Sequence, residues 1–159
     1  MSKTEIVAAP GIPQVVITRE FAAPVDLVFR AYTDPQLLVQ WLGPHDLTMT
    51  IDRYDPVDGG KWRYIQHDPQ GIEHGFHGLF HGDPSPARIV QTFEYERVPG
   101  HVKLDTTTFA AQGHRTVVRT VSSFASVEDR DGMIASGMER GAVDSADRLD
   151  SLLATLQDS

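Results

Sequence analysis

The sequence predicts an α+β domain, with helices gathered on one face of an antiparallel sheet. Three observations carry that prediction. The stretch 126–157, SVEDRDGMIASGMERGAVDSADRLDSLLATLQ, is apolar at helical spacing. Between Leu47 and Phe124, short runs alternate apolar with polar residues and are separated at regular intervals by Gly/Pro turns. Ahead of them stand one β-branched run and two short helical patterns. The predicted order is strand, two short helices, about six hairpin-linked strands and one long helix.

Residues 1–13, with two prolines and a glycine but no period, read as a loose lead-in, and a single domain is predicted over 14–157. Gln14 to Phe21 reads as a strand, and Ala23-Pro24 breaks it, with proline at a helix start. Val25 to Tyr32 follows as a short helix with Val25, Val28, Phe29 and Tyr32 on one face. Thr33-Asp34-Pro35 separates it from a second, Gln36 to Trp41. Strands are then predicted over 47–54, 61–67, 72–82, 88–96, 102–109 and 116–124. Val102, Leu104, Thr106 and Thr108 are expected on the inner face of the fifth of these, with Val118, Thr120, Ser122 and Phe124 on that of the sixth. Hydroxyls on that face suit a cavity, although β-propensity accounts for threonine as well.

The C-terminal stretch reads as one helix over 127–157. Counting about 100° per residue from Leu149, the residues Ile134, Ala135, Met138, Ala142, Ser145, Ala146, Leu152, Leu153 and Leu156 fall on one stripe. Ser126 with Asp129 resembles a capping box, and Arg140–Asp144 and Asp144–Arg148 are opposite-charge i,i+4 pairs. The stripe is large at its leucine end and small in the middle. Either the helix approaches a neighbour closely there, or it roofs a cavity sealed at the leucine end.

Composition bounds the function. The 159 residues suffice for one domain with one core, and 40% hydrophobic with 23% charged residues is ordinary for a globular chain. There is no cysteine, hence no disulfide, thiol nucleophile or thiolate metal site, which fits a cytoplasmic location. No apolar run reaches the roughly 18 residues of a membrane span, and the N-terminus carries no signal-peptide pattern. A net charge of −8 without a basic cluster argues against nucleic acid as a partner.

The segment TREFAAPVDLVFRAYTDPQLLVQWLGP resembles the N-terminal signature of the START-like, helix-grip (SRPBCC) superfamily, and in particular the subfamily named for the activator of heat-shock-protein-90 ATPase. The likeness continues through DGGKWRYIQHDPQGIEHGFHGLF, ARIVQTFEYE, the PGH turn and the C-terminal helix, covering about residues 14–157. It implies a curved antiparallel sheet gripping the C-terminal helix around an internal cavity. Superfamily members with that cavity bind lipids, polyketides or other apolar molecules, or cyclise them. The eukaryotic co-chaperone of the subfamily carries a further domain ahead of this one. Nothing of that kind fits in the 13 residues ahead of Gln14, so the co-chaperone role is not expected to carry over.

The chemistry-bearing residues support binding more than catalysis. His74 is expected to point opposite to His77 and His81, which share a strand face about 13 Å apart. No zinc spacing, phosphate loop or nucleophile elbow is present. Glu94, Asp105 and Arg119 read as cross-strand ion pairs on the wet face. Trp62 and Tyr64 share a strand face and suit stacking on a flat ligand, while Trp41 sits where the resemblance puts the cavity mouth. The expectation is an apolar or lipid-like small-molecule binding protein with neither cofactor, metal nor catalytic residue. Its cavity is expected to be walled by Trp41, Met49, Trp62, Tyr64, His77, Leu79, Phe93, Thr106, Thr120, Met138 and Ala142. For Phe93, the opposite face with Val90 and Thr92 is the alternative. A cyclase or hydrolase using the same cavity, a chaperone partner and a homodimer stay open as alternatives. An inward carboxylate–histidine pair would favour the enzyme.

Overall fold

The computed structural model describes residues 4–158. Its strands are β1 (Glu5–Val7), β2 (Gln14–Phe21), β3 (Thr48–Tyr54), β4 (Lys61–His67), β5 (Glu73–Leu79), β6 (Ile89–Tyr95), β7 (Lys103–Gln112) and β8 (Arg115–Ser123). Its helices are α1 (Val25–Thr33), α2 (Pro35–Leu38), α3 (Val127–Ala135) and α4 (Met138–Gln157). All eight strands form one antiparallel, curved sheet in the order β1-β2-β8-β7-β6-β5-β4-β3. β3 to β8 are a meander of successive hairpins, and β2 closes onto β8 from the far end of the chain.

The lead-in is more ordered than its composition suggests. Glu5–Val7 pairs with Val16–Thr18 as an edge strand, so the sheet begins before residue 14. The loop after it is fastened by Arg130 of α3, whose Nη1 donates to the carbonyls of Ala9 and Ile12. Periodicity is silent here because a three-residue edge strand has no room to show one.

Under the sheet, α4 packs through Leu149 and Leu153, both essentially inaccessible, against Phe21, Val28, Trp41, Phe109 and Val118. Leu152 is only half-buried at the edge of this core. α2 begins with Asp34, whose carboxylate accepts from the Gln36 amide, and with proline in the first turn. Trp41 lies in the segment beyond it, buried, with its indole N–H donating to the Ala31 carbonyl at 3.0 Å.

The expected single helix over 127–157 is two. Ser126 caps α3 by accepting from the Asp129 amide, but the helix ends at Ala135 and α4 starts afresh at Met138. Gly137 between them has φ +97°, a left-handed conformation that glycine adopts without a Cβ penalty. The apolar stripe runs across this break, which is why spacing alone did not reveal it. Of the two predicted ion pairs on the exposed face, Arg140–Asp144 forms at 3.7 Å. Arg148 instead donates to the carbonyls of Gln40, Gly43 and Pro44. The small residues of the stripe serve close approach: Ser145 Oγ accepts from the Gly43 amide at 2.7 Å, and Gly141 faces Pro44. The neighbour they admit is the loop between α2 and β3.

Candidate functional site

Strand pairing decides which side chains meet under the helices. Trp62, Tyr64 and Gln66 face inward from β4. Opposite them on β3, Ile51 pairs with Tyr64 and Met49 with Gln66. On β5, Phe76 pairs with Tyr64 and His74 with Gln66. Phe76 in turn pairs with Tyr95, Gln91 with Asp105, and Phe93 with Lys103. Between this inner face and α3–α4 lies an open space of about 910 Å³. Its floor is aromatic. The rings of Trp62 and Tyr64 are 5.1 Å apart, Tyr64 and Phe76 5.3 Å, Phe76 and Phe93 5.2 Å, and Phe93 and Trp62 5.8 Å, which closes a four-ring circuit. Tyr95 stacks on Phe76 at 5.0 Å. Gly78 permits the packing: a Cβ there would lie 2.8 Å from the Trp62 ring.

Among the described residues of β5 to β8, hydrogen-bonded polar side chains interrupt the apolar wall at three places. Lys103 Nζ lies 3.2 Å from Asp105 Oδ1, which also accepts from Ser122 Oγ at 2.6 Å. Burial, with the Asp105 charge adding to it, pushes the Tyr64 phenol well above its ordinary range. The Thr107 and Thr120 hydroxyls are 3.1 Å apart. The third place is His74, with Asp68 Oδ2 3.1 Å from Nε2 and the Tyr95 hydroxyl 2.7 Å from Nδ1. The hydrogen bond from His74 and those from the Ile72 and Gln70 amides hold the Asp68 carboxyl below its usual value, so it is ionised and can only accept. Nε2 is therefore the donor toward Asp68. In the neutral ring Nδ1 then accepts from the Tyr95 O–H. At the rim, His101 Nδ1 and Asp129 Oδ1 approach to 2.9 Å, tying the turn before β7 to α3.

Of the residues expected to wall a cavity, Trp41, Trp62, Tyr64, Phe93, Thr120, Met138 and Ala142 border this space. Met49 shares the inner face and packs against the core without bordering it. His77, Leu79 and Thr106 are corrections: all three stand on the outer face. His77 pairs across β4 with the outward Arg63, with Glu94 and Glu96 3.3 and 2.9 Å from its two ring nitrogens. Leu79 is exposed, and Thr106 pairs with Val90 and Val121. A strand face is a one-residue parity. In HGFHGL, glycines leave little apolar contrast to set it, and Val102 and Leu104 misdirected the choice on β7. The usable signal was Phe109, buried and of the same parity as Thr107, Asp105 and Lys103. Asp105 is a further correction, for it lies inside rather than on the wet face with Glu94 and Arg119. Gln66, Tyr95 and Lys103 were not singled out from sequence, because polar residues on a predicted strand read by default as solvated.

Among the described residues no group of three His, Asp or Glu side chains is disposed to hold a metal ion. None of the described helices is long and apolar enough to cross a membrane.

A curved antiparallel sheet closed by a C-terminal helix defines a helix-grip, START-like domain. The chain belongs to the family described as activator of Hsp90 ATPase homolog 1-like protein, whose model matches residues 22–154. Solved structures agree over nearly the whole length. A protein from Rhodobacter sphaeroides is 27% identical, with 96% of this chain and 99% of that one covered, at a TM-score of 0.87. One from Mycobacterium smegmatis is 24% identical, covering 94% and 96%, at 0.86. One from Arthrobacter aurescens is 24% identical, covering 95% and 91%, at 0.88, and at this identity such likeness speaks for fold alone. No curated protein matches the chain.

Proposed function

We propose that the domain binds an apolar or lipid-like small molecule in the space between the sheet and the C-terminal helices. The observation that carries this is the closed circuit of Trp62, Tyr64, Phe76 and Phe93 facing an open volume of about 910 Å³. A volume of that size suits a small-molecule site, and aromatic faces supply apolar area at little entropic cost. Nile red, a neutral apolar dye, should bind and brighten. Ala142→Trp, which puts an indole into the roof, should weaken that binding about tenfold or more. Unaltered dye affinity in a folded Ala142→Trp protein would rule out this space as the binding site.

One observation favours a second reading, catalysis in the same space. His74 and Tyr95 border the space, and Asp68 in the turn behind them completes a carboxylate–imidazole–phenol chain. In it the Tyr95 oxygen can take a proton from a bound molecule while passing its own to His74. Ester and lactone turnover that falls about a hundredfold in Tyr95→Phe, the scale of a lost general base, would turn the assignment toward an enzyme. Absence of turnover in the native protein leaves the binding reading in place.

A further inference from the structure

Gln66 is an inner-face side chain whose amide the packing leaves unanswered. It is only 8% exposed and borders the open space. Among the described residues its amide has no hydrogen-bond partner. Its polar atoms are not fully sealed, unlike Arg19 Nε and Trp62 Nε1, which are sealed and unpaired. Nε2 reaches toward the loop between α2 and β3, so a methyl group on Gly43 would lie 2.7 Å from it. No hydrogen bond joins it to that loop: the Gly43 amide donates to Ser145, and the donor at the Gly43 carbonyl is Arg148. The neighbouring inward His74 is occupied at both nitrogens. A buried amide without partners is costly, of the order of 1–3 kcal/mol, and is uncommon in native proteins without a reason.

The charges around the space point the same way. Two inward basic side chains border it, and each is answered by a carboxylate: Arg19 by Asp147 and Lys103 by Asp105. Among the described residues, no Lys or Arg bordering the space lacks a carboxylate partner. Burying a carboxylate ligand here would therefore cost its hydration with no compensating charge.

We propose that the ligand is a neutral, flat aromatic molecule bearing a carboxamide- or lactam-type edge. The aromatic circuit holds its body, and Gln66 pairs with the edge as simultaneous donor and acceptor. The proposal rests on the binding reading above and adds the chemical class of the molecule bound. It assigns Gln66 to recognition rather than to folding.

Three probes of one shape test it by calorimetric titration: 2-naphthamide, its planar apolar isostere 2-isopropenylnaphthalene, and the anion 2-naphthoate. In Gln66→Leu, 2-naphthamide affinity should fall about tenfold, while the apolar isostere binds as before or more tightly. The native protein should bind 2-naphthoate at least about tenfold more weakly than 2-naphthamide. Gln66→Leu should also melt no lower than the native protein, because it removes an unanswered polar group. Equal change for the amide and its isostere, or native preference for the anion, would overturn the proposal while leaving the cavity a binding site. A lowered melting temperature in Gln66→Leu would overturn it too, since it would make the glutamine a structural partner. Failure of all three probes to bind a native protein that still binds Nile red would overturn this inference alone, and failure of Nile red as well would remove the binding reading with it.

Discussion

At the scale of single residues, the outer face holds the most sharply tuned charge. Glu96 accepts from Arg63 through both carboxylate oxygens, at 2.8 and 2.9 Å, and lies 2.9 Å from His77 Nδ1. Chiefly because of Arg63, with His77 adding, its carboxyl is pulled from an ordinary 4.5 to about 2. A depressed folded-state value stabilises the fold above the unfolded value and loses that contribution as pH falls through the folded one. The window is therefore pH 4.5 down to about 2. Glu96→Gln should melt below the native protein at pH 6, and the gap should close as acid is added toward pH 2. A gap that stays constant across thermal melts over that range would detach Glu96 from the acid response. The inward Asp105 teaches the opposite lesson about charge. Its residue type argued for water, and only pairing with Lys103 and Ser122 makes its inner position tolerable.

At the scale of elements, α4 is two helices' worth of function on one stripe. Leu149 and Leu153 fix it to the sheet, whereas Met138 and Ala142 face the open space. Leu149→Ala and Leu153→Ala should each cost roughly 2–5 kcal/mol in urea unfolding, the range for a fully buried leucine. Leu152→Ala should cost less than either, since Leu152 is half-buried. Equal midpoint shifts for all three would show the stripe to be wider than the structure has it. The stripe and its leucine end were legible because helical spacing survives any packing partner. The break at Gly137 was not, because glycine inside a periodic run reads equally as tolerated or as a stop. Similarly, the expected faces of β4 and β8 agree with the structure, where Trp62 and Tyr64 or Val118 and Phe124 share a parity. Those of β5 and β7 fail, where glycines or a polar interior remove the contrast.

At the scale of the whole molecule, turn chemistry and hairpin rhythm sufficed for the α+β class, the meander and the C-terminal helix. They did not suffice for the sheet's far edge. That β1 joins it, and that Arg130 of α3 fastens the following loop, depends on tertiary hydrogen bonds that no local pattern announces. The candidate site was half legible for the same reason. Its aromatic residues declare themselves by type. Gln66, His74 and Tyr95 acquire meaning only when the registers of β4, β5 and β6 bring them to one side of the sheet.

The pairing of β2 with β8 carries a kinetic consequence. Phe21 faces Thr116 across that pairing, so closing it gathers a loop of about 95 residues. By chain statistics this closure costs on the order of 4 kcal/mol of entropy before any contact repays it. The hairpins from β3 to β8 need no such closure and can form one after another. During synthesis β2 emerges long before β8 exists, and Val15 and Phe21 must wait without their partners. Contact order then predicts that this non-local pairing, rather than the local turns that make the sequence readable, paces folding.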